Sequence, residues 1–241
     1  MKRLLFFFLI CGLTFSACRY ITGEHIDGNG TIKREARTAG SFSEVDVSGA
    51  IDLIVQQDAV SKVEIETDEN LLQYIDVRME GDQLVISARN GYDLDPTSSV
   101  KAYVSAPEIK AIEASGACKV RSTNQLSSNS SITISLSGAS TGVIDARCPE
   151  VKSDISGASQ ITLRGQTKDA RLEASGSSRI EAFDLLAENS VVDISGASHA
   201  NVFASVKLDA EASGASGVRY RGNAQEVRSD ASGASSVKKA D

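Results

Sequence analysis

The chain of 241 residues has no tryptophan, two methionines, three prolines and two histidines, and only 5% of it is aromatic. So few aromatic rings leave little from which to build the stacking platforms of a sugar-processing cleft. The two histidines, His25 and His199, restrict imidazole acid-base chemistry to isolated positions. The formal charge is −7, and no run of basic residues exceeds a pair such as Lys238-Lys239. A chain of this kind has no electrostatic footprint for a polyphosphate, and nucleic acid is excluded as a partner. What is plentiful is small and apolar: 41% of the chain is hydrophobic, mostly Val, Ile, Leu and Ala, enough for a thin core.

The first residues set the compartment. Lys2 and Arg3 precede an apolar stretch from Leu4 to Thr14, and Phe15-Ser16-Ala17-Cys18 closes it with small residues before a cysteine. The stretch is too short to span a bilayer, which takes roughly 20 apolar residues, and reads as a cleaved leader over residues 1–17. The small-small-Cys ending resembles the lipobox of bacterial lipoproteins, with Phe15 standing where an aliphatic residue is usual. That resemblance implies lipid attachment at Cys18, and acyl chains contributing about 0.8 kcal/mol per buried CH₂ would hold the chain firmly to a membrane. Arg19 follows the cysteine, in place of the Asp that resembles an inner-membrane retention signal, so an outer-membrane lipoprotein is expected. Residues 18–30, polar and glycine-containing, read as lipid anchor and flexible tether.

Internal repetition is the strongest signal. Ser-Gly-Ala, once varied to Ser-Gly-Ser, recurs with its glycine at Gly49, Gly116, Gly138, Gly157, Gly176, Gly196, Gly214 and Gly233, spaced by 67 and then by 22, 19, 19, 20, 18 and 19 residues. Two residues before the glycine the chain is apolar in every copy (Val47, Ala114, Leu136, Ile155, Ala174, Ile194, Ala212, Ala231), and four before it largely so. Three before it stand Asp46, Glu113, Ser135, Asp154, Glu173, Asp193, Glu211 and Asp230. Alternation of period two marks a strand with one buried face. The fourth residue after the glycine is again mostly apolar, which predicts a corner and then a second strand. A unit of about 19 residues cannot bury its own apolar face and must stack on its neighbours. The expected fold is all-β: a right-handed single-stranded β-helix over residues 111–241, with glycine at positive φ in each corner. A ladder of serines (Ser140, Ser159, Ser178, Ser198, Ser216, Ser235) should follow that corner. An antiparallel sandwich or barrel is the competitor, disfavoured by the fixed period and by the lack of Asn-Gly or Asp-Gly turns between the repeats.

Residues 31–110 form a less regular β part, with strand-like runs at 45–47, 52–55, 62–66, 84–88 and 100–104. Asp68-Glu69-Asn70 and the segment from Asn90 to Pro96 read as loops. Gly28-Asn29-Gly30, Arg37, Phe42, Val45-Asp46-Val47-Ser48-Gly49, Gln83-Leu84-Val85-Ile86, Val100-Lys101-Ala102-Tyr103-Val104, Pro107, Ile109 and the repeated Ser-Gly-Ala together resemble the family called putative auto-transporter adhesin, head GIN domain. The likeness runs from about Gly28 to the last residue. It implies a β-helical fold and lipoprotein-like export in Bacteroidetes-type bacteria, and it assigns no ligand-binding residue.

Few residues point to chemistry. Gly138-Ala139-Ser140-Thr141-Gly142 matches the G-x-S-x-G elbow, but no helix pattern or histidine base accompanies it, and Gly-Ala-Ser recurs along the repeat. The acidic positions would stack about 4.8 Å apart if the coils are in register. Ion pairing with Lys152, Arg171 and Arg228 is the expected remedy for their repulsion, and a weak Ca²⁺ surface is the alternative. Of the four cysteines, Cys118 and Cys148 belong to the mature body, half a coil apart, and two unpaired, partly buried thiols are expected. No catalytic residue, cofactor or metal site is assigned. The expectation is a non-enzymatic adhesive or structural envelope protein with a glycan or a host or matrix protein as partner, touching the membrane only through its anchor, and a homo-oligomer is an open option. The alternative is a carbohydrate-active enzyme, a polysaccharide lyase or hydrolase, using carboxylates on one face.

Overall fold

A computed structural model describes residues 23–240. The proposed leader and the lipid site at Cys18 lie outside the described residues. The N-terminal part holds β1 (Glu24–Asp27), β2 (Ile32–Arg37), β3 (Glu44–Gly49), β4 (Ile51–Gln57), β5 (Lys62–Asp68), a 3₁₀ turn at Leu72–Tyr74, β6 (Ile75–Glu80), β7 (Gln83–Ala88), β8 (Tyr92–Asp95) and β9 (Val100–Ala106). The regular part continues with β10 (Ala111–Gly116), β11 (Lys119–Ser122), β12 (Leu126–Ser127), β13 (Ser131–Leu136), β14 (Thr141–Ile155), β15 (Gln160–Ala174) and β16 (Arg179–Ile194). It closes with β17 (His199–Phe203), β18 (Lys207–Ala212), β19 (Gly217–Arg221), β20 (Glu226–Ala231) and β21 (Ser236–Lys239).

The chain is a β-solenoid of about six turns with stacked parallel coils. On the face before the glycine corner, β3, β10, β13, β14, β15, β16, β18 and β20 follow one another in parallel register. On the face after it, β4, β11, β14, β15, β16, β17, β19 and β21 do the same. Every Ser-Gly-Ala glycine has positive φ, between 76° and 103°. From Gly116 on, a Cβ at each of these corners would lie only 2.4–2.7 Å from the carbonyl oxygen of the corner glycine in the coil below. That same carbonyl accepts from the next residue's N–H, as in Ala158 N to Gly138 O at 2.7 Å. Two demands, a left-handed backbone and close approach of backbone to backbone, leave glycine as the residue that satisfies both.

The interior is the apolar column read from the sequence. Ile112, Ile134, Ile155, Ile161, Ile180, Ile194 and Leu208 are fully enclosed, each contributing on the order of 1.5–3 kcal/mol by leaving water. The serine ladder lies inside as well from Ser140 to Ser216, while Ser235 in the last coil is half-buried. Ser140, Ser178 and Ser216 are buried, and each donates to the carbonyl three residues earlier, at 2.9, 2.8 and 2.7 Å. In these three coils the hydroxyl satisfies a corner carbonyl that the turn leaves without a ladder partner, whereas the buried Ser159 hydroxyl has no hydrogen-bond partner.

At the N-terminal end the pattern changes. β7 and β9 stack in parallel on β3 and β4, but β5 runs antiparallel to β9, β2 antiparallel to β5, and β6 antiparallel to β7. These strands close that end of the stack. The expected tether needs correction between residues 24 and 30: β1 pairs with β8, and Gly30 N donates to the Asp68 carboxylate at 2.7 Å. The two segments read as loops hold in part: Glu69-Asn70 and Asn90-Gly91 are turns, whereas Asp68 ends β5 and Tyr92–Asp95 is β8.

Candidate functional site

The carboxylate column stacks as the period required. Asp46, Glu113, Ser135, Asp154, Glu173, Asp193, Glu211 and Asp230 are partners in successive coils. The expected ion pairs with it are absent among the described residues. Lys152 Nζ reaches Glu150, 3.2 Å away on its own strand, and neither Arg171 nor Arg228 makes a salt bridge among the described residues. Glu150 and Asp154 flank Lys152 at equal spacing on the outward face of β14, and the ammonium is engaged by Glu150 rather than by the acidic column. Burial pushes the Asp46 carboxyl up, Arg78 opposes this and Glu80 adds to it.

Ser140, the serine of the elbow-like motif, is buried with its hydroxyl committed to the Ser137 carbonyl, so the motif presents no nucleophile to solvent. His199 is exposed on β17. His25 sits on β1 between two carboxylates: Nδ1 is 3.2 Å from Asp93 and Nε2 is 3.1 Å from Asp27. The hydrogen bond to Asp93 is the main cause that raises its pKa, with Asp27 adding to it. Potential ligand atoms of His25, Asp27 and Asp95 lie within 4.8 Å of one another, all exposed. The sequence reading missed this grouping because it placed His25 in the tether and Asp95 in a loop.

Both body cysteines are free and buried, and each stands where a neighbouring coil has a hydroxyl. Cys118 takes the ladder position of Ser140, with Sγ 3.3 Å from the Ser115 carbonyl. Cys148 is in register with Thr167; its Sγ approaches Glu150 O at 3.2 Å, and Thr167 Oγ1 donates to Asp169 O at 3.0 Å. Burial raises both thiols above their ordinary range, so they are poor nucleophiles.

A groove of about 840 Å³ runs across successive coils, between β4, the segment after β9, β12, β14, β15 and β16. Its floor is stapled by Gln57, whose Nε2 donates to the Pro107 and Ser127 carbonyls at 2.8 and 2.9 Å while its Oε1 accepts from Ser127 N. Along the wall Ser127, Arg147 and Gln166 are aligned coil to coil, and Lys168, Glu108 and Glu188 complete the polar lining. Arg147, Gln166 and Lys168 are exposed and have no side-chain partner among the described residues, so their donors are available. Periodicity did not reveal the groove, because it follows the third side of the coil, where β12 is two residues long.

Fold and geometry together define a β-solenoid with a polar groove along one side. The sequence matches the family described as putative auto-transporter adhesin, head GIN domain, over residues 41–224, and the chain belongs to that family. Among solved structures it is similar to a putative adhesin from Bacteroides fragilis (TM-score 0.82, 18% identity, 89% of this chain and 100% of that one). It is also similar to a putative adhesin from Parabacteroides merdae (0.75, 18%, 91% and 100%). A third relative in fold is a putative lipid binding protein from Parabacteroides distasonis (0.72, 21%, 90% and 100%). No curated protein sequence matches the chain.

Proposed function

We propose that the protein is a non-enzymatic adhesin of the cell envelope, held to the outer membrane through lipid on Cys18, whose solenoid groove binds a glycan or a host or matrix protein. The observation that carries this reading is the groove itself: it is long, lined by donors and acceptors of both signs, and carries uncommitted Arg147, Gln166 and Lys168 side chains. Coils about 4.8 Å apart present these groups at a spacing that suits an extended ligand with a short repeat. Membership of an adhesin family supports the surface role. The fold relative named for lipid binding raises a lipid as occupant, but the polar lining gives an acyl chain little apolar surface to bury against.

The test is a glycan and matrix-protein array probed with the full chain, with Ca²⁺ and with chelator. A specific hit weakened by Arg147→Ala is expected. A blank array in both conditions would remove the adhesive reading and favour a purely structural role. Turnover of a bound polysaccharide that Glu173→Gln or Asp193→Asn abolishes would establish the enzymatic alternative.

A further inference from the structure

The coil formed by β20 and β21 differs from every other in what covers it. Leu208, Ala210 and Ala212 on β18 are buried beneath β20, whereas Val227, Ser229 and Ala231, one coil further on, are all exposed, Val227 by 42%. Glu226 N and Ser232 N both donate toward the preceding coil, to Val206 O and Ala212 O. Since parallel pairing alternates direction residue by residue, the N–H and C=O groups of Val227, Ser229 and Ala231 face the free side of the strand. Among the described residues no strand pairs with that side. Such an edge is a template for another strand.

The β20 sequence Glu-Val-Arg-Ser-Asp-Ala complements itself in one antiparallel register. Opposed residues share a face, so inward residues must meet inward ones, and a one-residue slip is barred. Centred on Ser229, the pairing sets Arg228 opposite Asp230 twice, on the outward face. On the inward face it sets Val227 opposite Ala231 twice. Centred instead on Arg228, it opposes Arg228 to itself and Glu226 to Asp230; centred on Asp230, it opposes Asp230 to itself. Only the first register joins opposite charges and apolar to apolar. Arg228 and Asp230 have no ion-pair partner within the chain among the described residues, while Glu226 is engaged by Lys207 at 3.2 Å. The exposed Lys238 and Lys239 of β21 guard the neighbouring edge against unspecific pairing.

We propose that β20 pairs antiparallel, centred on Ser229, with β20 of a second copy of the chain. The contact is isologous and closes as a twofold dimer. β1 and the antiparallel strands lie at the opposite end of the stack from β20, so, on the N-terminal anchoring proposed above, two anchored chains meet tip to tip and the dimer bridges two surfaces. This dimer does not depend on the groove's ligand.

Sedimentation equilibrium of the full chain tests it. The wild type is expected to dimerise. Arg228→Glu and Asp230→Arg, each reversing two symmetric charge pairs, should each weaken the dimer by about tenfold or more. Their equimolar mixture should restore it, because each variant then meets the complementary charge. Ser229→Lys, which opposes two lysines at the centre, should also give monomers. A monomeric wild type, single variants that dimerise like the wild type, or a mixture no tighter than its components would each overturn the proposal.

Discussion

The N-terminal cap and the regular coils are held by different chemistry, although one ladder of strands joins them. In the coils, every element is repeated: glycine at the corner, a hydroxyl or thiol beneath it, one apolar column and one acidic column. Each coil buries its apolar face only against the coils above and below, so stability is carried by register. In the cap the joints are individual. Asp68, enclosed at the end of β5, accepts from Gly30 N at 2.7 Å, Thr97 N at 2.9 Å and Thr97 Oγ1 at 2.8 Å. It ties together segments that share no repeat, and Gly28 is packed so tightly on it that a Cβ would meet the carboxylate at 2.5 Å. Arg34 lies over the Tyr103 ring at 3.3 Å and spans β2 to β9 in the same manner. A repeat distributes its stability over equivalent positions, whereas a cap concentrates it in a few residues.

The largest expected effect separates two glycines with the same backbone. Gly157 has φ 76° and a carbonyl 2.4 Å from any Cβ; Gly30 has φ 77° and nothing within 4 Å. Gly157→Val should cost about 3 kcal/mol or more, through conformation and backbone clash together, while Gly30→Ala should cost about 1 kcal/mol through conformation alone. Denaturant melts of the two variants measure the difference. Equal costs would show that coil stacking does not impose the glycine column.

This contrast also explains what could be read in advance. The coils were legible because one tripeptide at a fixed spacing marks the corner, and alternation around it marks the inward face. Asp68 was not, because its partners lie 38 and 29 residues away and its neighbours Glu69 and Asn70 have the composition of a turn. β1 and β8 were missed for a related reason: Glu-His-Ile-Asp and Tyr-Asp-Leu-Asp are polar on the exposed side of a two-stranded pair, and only their mutual pairing makes strands of them. The expected ion pairs failed because Lys152 has carboxylates two residues away on both sides of the same face, and the one that engages it is Glu150, outside the acidic column.

The cap is broken most directly at Asp68. Replacement by alanine removes a carboxylate that receives three hydrogen bonds and should cost about 2–3 kcal/mol, read as a lowered midpoint in denaturant. Desolvation pushes this carboxyl up, but the hydrogen bonds from Thr97 and Gly30 outweigh it and hold its pKa below the ordinary 3.8. A group whose folded pKa is depressed stabilises fully above its unfolded value and loses that contribution as pH falls through the folded one. The stability gap between wild type and Asp68→Asn should therefore be constant near neutrality and narrow once pH drops below about 3.8. A gap independent of pH would place the effect in packing rather than charge.

The smallest effect is expected in the coils. Cys118→Ser and Cys148→Thr install the residue that the adjacent coil already uses, and stability should stay within about 0.5 kcal/mol of wild type. A large loss at either position would mean that the thiol fills space a hydroxyl cannot, and that the coils are less interchangeable than their register implies.

The central claim is that binding belongs to the groove on the third side of the coils and not to the acidic column. It is tested most directly by the affinity of the full chain for its best array ligand, measured for wild type, Arg147→Ala/Lys168→Ala and Glu173→Gln/Asp193→Asn at matched thermal stability. The account predicts a loss of about tenfold or more for the groove variant and wild-type affinity for the column variant. Unchanged affinity in the groove variant, with loss in the column variant, would contradict it.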